Sequence, residues 1–349
     1  MSDITITLFS DPLSVAAYRN RPVRSRLRYG FSDVDRRYRC LVSIPEPIDG
    51  ADAESAERLA RFDDTGGMPV ESDVTADGVP SSWMACEAIA AGRETGGRGA
   101  AFDLARALAD RTFAAGDPPS TPEGVRRIAE SVPGIDAEAV AAAVGTRRAT
   151  AAVGRDLERA RETVSRLAEV DVRGSPRTVP LRPRSHLDGP LSDGDGAGSP
   201  DGRDSDDGTD DADPTARTED AVFAAPVYRI DGPAGTTVVD GAAGFDVLRD
   251  AVRTHDPDLG DAGASTETQS RNVMQQYGAD ALSAESLGPE DHRERALEVL
   301  GALPSAFAPE IAACLDVTEE TCRIALHRLK REGSVRRETT GAWTRVPEE

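Results

Sequence analysis

Few side chains in this 349-residue sequence are spaced for chemistry, and the most suggestive group lies near its start. The stretch "LFSDPLSVAAY", residues 8–18, sets Asp11, Ser14, Ala17 and Tyr18 where an alternating apolar run, Ile4 to Phe9, gives way to an arginine-rich segment. A strand-to-helix turn of this kind presents groups to a ligand, because the first helical turn offers free N–H donors and positive potential. Ser14 is also a preferred helix cap, so capping and ligand binding are both open to it. Cys40, Cys86, Cys314 and Cys322 have neither C-x-x-C spacing nor the density of a disulfide framework, and read as buried thiols. His186, His255, His292 and His327 are scattered without ligand spacing, so no metal site is expected. "TGGRGA", 95–100, has no strand before it and no G-K-[ST], and reads as a helix break rather than a phosphate loop.

The elements that would hold these groups follow from apolar spacing. Residues 3–9 read as a strand, about 14–28 as a helix and "RRYRCLVSI", 36–44, as a second strand, together a parallel β-α-β unit. From about 50 to 150 the pattern is helical and alanine-rich, as in "SSWMACEAIAAGRE" and "AAFDLARALADRTFAAG". Thr121-Pro122-Glu123 combines cap, first-turn proline and early carboxylate at a helix start, and a further helix is expected over 150–168. Residues 188–220 carry twelve acids against two arginines and almost nothing apolar to offset ordering entropy. They are expected to be a disordered acidic loop. "VFAAPVYRIDGPAGTTVVDGAAGFDVLRDAV", 222–252, reads as two strands about a Gly/Pro turn and then a helix.

The order strand, helix, strand, β-hairpin, helix, with a proline opening the first hairpin strand, is that of the thioredoxin fold. A helical block after the second strand marks its DsbA branch. On "LFSDPLSVAAY", "GMPV" at 67–70, the hairpin stretch and "GAWTRV" near the end, the chain resembles the DsbA family, especially its cytoplasmic FrnE-like members, over roughly residues 3–255. The resemblance implies an α/β fold. Residues 1–48 and 150–255 would form a thioredoxin-like sheet, 49–149 an inserted helical domain and 256–289 a linker. In redox-active members the turn reads like D-P-x-C-x-x-C and then an aromatic; here the cysteine positions fall on Ser14 and Ala17 and the aromatic on Tyr18. Disulfide exchange needs one thiolate to attack and a second thiol to resolve, so this turn is excluded from it.

The turn is also similar to D-F-L-S-P-Y-S-Y of the kappa-class glutathione transferase and 2-hydroxychromene-2-carboxylate isomerase group, sharing Asp11, Leu13, Ser14 and Tyr18. That likeness implies a low-molecular-weight thiol whose thiolate Ser14 would hydrogen-bond. The fold's cis-proline faces the turn. Pro226 is favoured for that role, since Val227 to Ile230 reads as the strand entering the hairpin, and Pro176 in "VRGSPRTV" is the alternative. Asp11, Ser14, Ala17, Tyr18 and Pro226 are thus the expected ligand groove.

Bulk composition narrows the partners. A net charge of −21 opposes general binding to nucleic acid or anionic membranes, although about half of it sits in the acidic loop. Lys330 is the one lysine among 41 basic residues, a usage suited to solubility at high salt. Neither a secretory signal nor a membrane-spanning apolar run is visible, so a soluble, cytoplasmic protein with reduced thiols is expected. Residues 290–349 have winged-helix cadence: "EDHRERALEVLGAL", "APEIAACLDV", "TEETCRIALHRLKREGSV" and a hairpin closed by Trp343. Arg323, Arg328, Lys330, Arg331, Arg336 and Arg337 would give a basic face of the kind phosphate contacts require. The segment nonetheless holds twelve acids against nine Lys and Arg, and Glu319 and Glu320 occupy the helix end that would enter a groove. The sequence therefore favours a protein-contact or dimer module over a DNA binder. The functional expectation is a non-redox protein binding a small ligand or peptide, without cofactor. The alternatives are a small-thiol isomerase or transferase using Ser14, and a DNA-associated regulator.

Overall fold

The computed structural model of the chain describes residues 2–47, 67–71, 79–174, 178–180, 221–241, 243–259 and 291–347. The expected acidic loop, Pro176, His186 and residues 260–289 of the expected linker lie outside the described residues. Strand β1, Thr5–Ser10, is buried on both faces, as a central strand covered by helices must be. Ile6, Leu8 and Phe9 are each about 2% exposed. Strand β2, Asp35–Cys40, runs parallel to it with Leu8 opposite Tyr38. Strands β6, Val227–Gly232, and β7, Gly235–Asp240, form the hairpin, and β6 lies antiparallel to β1. The sheet order is β2-β1-β6-β7-β3, where β3, Asp171–Arg173, pairs parallel with β7. A βαβ unit followed by an antiparallel hairpin and a helix is a thioredoxin-like arrangement. Two short strands, β4 Thr178–Pro180 and β5 Ala221–Phe223, pair outside the main sheet.

The helical segment expected over 14–28 is two helices, α1 Val15–Arg19 and α2 Arg21–Gly30. Pro22 explains the break: it has no N–H to give to the Tyr18 carbonyl, but it fits the first turn of a new helix. Helix α3, Trp83–Ala109, spans the expected glycine break, which is confined to Gly97 at φ 82°, and one π-helical turn, Asp110–Ala114, follows. Helices α4, Pro122–Ala129, and α5, Ala137–Ala143, lead to α6, Arg147–Ser165. Thr121, Asp136 and Thr146 cap these three through their side-chain oxygens. Helix α7, Phe245–His255, packs on β6, β7 and α2, while α3 and α6 pack on each other and on β2. Sheet and helical block share one continuous apolar core.

Residues 291–345 build three helices, α8 Asp291–Ala302, α9 Ala308–Leu315 and α10 Glu319–Arg331, followed by the β8–β9 hairpin, Val335–Arg337 with Trp343–Arg345. This module has its own core around Leu300, Ile311, Leu326 and Trp343. It is joined to the rest mainly through α9, which lies along α2. Among the described residues no helix is long and apolar enough to cross a membrane.

Candidate functional site

Where β1 ends, Asp11 is fully buried. Its Oδ1 accepts the Leu13 N–H at 2.7 Å, and its Oδ2 accepts the Ser43 N–H at 2.7 Å and the Ser43 hydroxyl. Burial pushes the Asp11 carboxyl above its ordinary range, and the bonds from Ser43 and Leu13 only partly restore it. Ser14 has extended backbone, φ −76° and ψ 120°, and its Oγ accepts the Ala17 N–H at 3.3 Å. It is the cap of α1. Ala17 and Tyr18 are buried, Ser14 and Val15 are half-buried, and Ala16 is exposed.

Tyr18 is covered by the chain itself. Its hydroxyl donates to the Pro69 carbonyl at 2.8 Å, and its ring lies 4.7 Å from that of Phe113. Met68, Phe307 and Ala342 complete this small apolar cluster, which brings residues 67–71 and the C-terminal module against the turn. Beside it, the buried Arg21 guanidinium lies 5.3 Å from the rings of both Tyr18 and Phe307 and bonds Asp110 and Glu310. Glu310 of α9 is the centre of the join. It accepts Arg21 Nη2 at 3.0 Å, Arg106 Nη1 at 2.7 Å, the Ser25 hydroxyl at 2.7 Å and the Phe307 N–H at 3.0 Å. Burial would raise its carboxyl, but Arg106 and Arg21 outweigh that and, with Ser25 and Phe307, pull it down to about 2. Neither Arg21 nor Glu310 stood out in the sequence, although a lone acid inside the apolar run "APEIAACL" was the available signal.

The Ala225–Pro226 bond is cis. The antiparallel register, Phe9 opposite Val227, puts buried Pro226 beside the Ser10 end of β1. Gly241 closes over it: its N–H donates to the Pro226 carbonyl at 3.0 Å, and a Cβ at 241 would stand 2.2 Å from that oxygen. Asp11, Ala17 and Tyr18 also face inward, where they line part of a cavity of about 290 Å3 under α2. The residues expected to form the groove therefore lie toward the same end of β1. Asp11, Ala17 and Tyr18 are buried and border the cavity, whereas Ser14 is half-buried and neither Ser14 nor Pro226 borders it.

The basic residues of the C-terminal module are spread and partly engaged. Arg323 bonds Glu319 at 2.8 Å, and Arg336 bonds Glu338 at 2.9 Å. Arg337 lies 5.9 Å from the Trp343 ring and donates to the Gly341 carbonyl. Arg328 is half-buried, while Lys330 and Arg331 are exposed with Ile324 and His327. At the start of α10 Thr318 and Glu320 are exposed and Glu319 is half-buried. Glu319 Oε2 stands so near Gly67 that a Cβ there would approach it to 2.9 Å.

All four cysteines are buried and free. Cys86 donates to the Leu41 carbonyl and Cys40 to the Cys86 carbonyl; Cys40 stands opposite Ser10, at the end of β1 where the turn begins, and neither thiol occupies position 14 or 17. Burial pushes the Cys86 and Cys314 thiols up and holds Cys322 at about 12. No cluster of His, Cys, Asp or Glu among the described residues could hold a metal ion.

No family model matches the chain, and no curated protein does. Two solved structures similar to it are those of the cytosolic disulfide reductase DsbM from Pseudomonas aeruginosa. The first has TM-score 0.43 and 15% identity, covering 77% of this chain and 99% of that one. The second, of DsbM with GSH, has TM-score 0.37 and 21% identity over 47% and 81%. The thioredoxin-like assignment rests on the strand order and register of the chain itself.

Proposed function

We propose that this chain is a DsbA-type, FrnE-like protein in which Ser14-Val15-Ala16-Ala17 stands where redox relatives carry two cysteines, and that it binds a small ligand or peptide without exchanging thiols. One observation carries the reading: the two reactive positions hold a hydroxyl engaged in capping α1 and a buried methyl. Neither can form or resolve a mixed disulfide. The buried cysteines, with Cys86 held in its thiol form, offer no replacement. The test is reduction of insulin disulfides by dithiothreitol with and without the intact protein. The expected rate is that of dithiothreitol alone; a catalysed rate ends the proposal. A small-thiol isomerase would show glutathione affinity that Ser14→Ala weakens, and none is expected.

The C-terminal helices and hairpin have winged-helix order, and we read them as a protein-contact module rather than a DNA reader. The support is that α9 already serves as a contact surface within the chain, through Glu310, and that residue 67 lies against the start of α10. A second protein or a second copy of the chain would use the face bearing Arg323, Ile324, His327 and Arg331. Sedimentation of wild type beside Ile324→Asp tests for self-association there; a concentration-dependent dimer lost in the variant is the expected result.

A further inference from the structure

Between α2, the β1–β2 pair and the second half of α3 lies the cavity of about 290 Å3 that the turn adjoins. Ile6, Leu8, Leu27 and Phe102 make much of its wall apolar, yet five arginines line it: Arg21, Arg24, Arg28, Arg36 and Arg106. Three of these have carboxylate partners: Arg21 pairs with Asp110 and Glu310, Arg28 with Asp103, and Arg106 with Glu310. Among the described residues the other two bond no carboxylate: Arg24 bonds only the Ala17 carbonyl, at 2.6 Å, and Arg36 bonds only the carbonyls of Arg28, Phe31 and Ser32. The Nε of each is buried with no acceptor. The two carboxyls in the wall are committed elsewhere, Asp11 to Ser43 and Leu13, and Asp35 to Arg37 and Arg98. Burial holds the Arg24 guanidinium below the ordinary arginine range; Tyr228, Tyr38 and, least, the nearby but unbonded Glu310 offset that only in part, and Arg21 adds to it.

Arg24 and Arg36 are half-buried, but a guanidinium edge shut off from water with no acceptor is unfavourable, and an anion that completes it relieves that cost. The free Nε edge of a guanidinium matches a carboxylate with two parallel N–H bonds. A cavity of about 150 Å3 accepts benzene, so one twice that size accepts about ten to twelve non-hydrogen atoms. We infer that this cavity binds a small monocarboxylic acid, its carboxylate paired with Arg24 and its apolar body lying against Phe102 and Tyr38. The inference rests on the non-redox reading above and supplies the ligand class for it.

The experiment uses the intact protein, with 3-phenylpropionate and its neutral isostere 3-phenylpropanamide as probes, followed by calorimetry and thermal unfolding. The acid is expected to bind and raise the unfolding midpoint, and the amide to do neither. Arg24→Gln is expected to weaken the acid at least tenfold, as loss of a charged hydrogen-bonding partner does, while leaving the unliganded protein at least as stable. Equal binding of acid and amide, binding of neither, or full affinity in Arg24→Gln would overturn the inference. The comparison of acid with amide on the wild type decides the matter even should the variant not fold. Insulin reduction is read separately, so a failed carboxylate site and a failed non-redox reading give different results.

Discussion

Replacing Glu310 with glutamine tests how the C-terminal module is held. Glutamine keeps the side chain's shape but turns one accepting oxygen into a donor beside Arg21 and Arg106. Glu310 is fully buried with a carboxyl pulled down to about 2, against ~4.3 for an ordinary glutamate. At ~1.36 kcal/mol for each tenfold, the charged form is worth about 3 kcal/mol more than the neutral one, the low end of what removing one partner of a buried pair does. The sign follows from a folded-state pKa that is depressed. The stabilisation is complete above ~4.3, declines as pH falls through the window toward about 2, and is gone below it. Urea unfolding at pH 7 is therefore expected to show Glu310→Gln less stable by about 3 kcal/mol, and at pH 3 by about half of that. Hydrogen exchange of the α2 and α9 amides should rise in parallel. A variant within ~0.5 kcal/mol of wild type at pH 7, in the range of an ordinary surface change, would refute the reasoning, as would a difference that pH does not alter.

Three further outcomes are expected. Ser14→Ala should cost about 0.5–2 kcal/mol of stability through the lost cap, measured by urea unfolding, and should leave binding of 3-phenylpropionate unchanged. Gly241→Ala should be destabilised by about 1–3 kcal/mol or more, read as a lowered thermal midpoint, because a Cβ there meets the Pro226 carbonyl and ring. Titration of a DNA duplex with increasing salt should give weak affinity with a slope near zero, since Arg323, Arg336 and Arg337 are already engaged; a steep slope would restore the DNA-associated reading.

The βαβ unit and hairpin were legible because the alternating run Ile4 to Phe9 and the short apolar run Val227 to Ile230 sit in the order that a thioredoxin-like sheet needs. The helix break was present in the sequence as Pro22 but lay inside an arginine-rich run that reads as one amphipathic helix. Strand β3 was illegible for a different reason. Three residues, Asp171–Arg173, two of them charged, carry no alternation of their own and gain their structure by pairing with β7. The site divided in the same way. Asp11, Ser14 and Tyr18 were named by local turn chemistry. The contacts of Glu310 with Arg21 and Ser25 join residues nearly 290 positions apart, beyond any spacing rule. The arginines at 21, 24 and 28 did repeat on one face of α2, but only the fold shows that this face lines a cavity.

The central claim is that this thioredoxin-like turn has no exchangeable sulfur behind it. The most direct measurement incubates the native protein in glutathione redox buffers and counts modified cysteines by mass spectrometry. All four thiols are expected to stay unmodified until the fold is lost, as burial and the raised Cys86, Cys314 and Cys322 thiols require. A mixed disulfide with glutathione, or a Cys40–Cys86 disulfide, that forms and reverses in the folded protein would contradict the account.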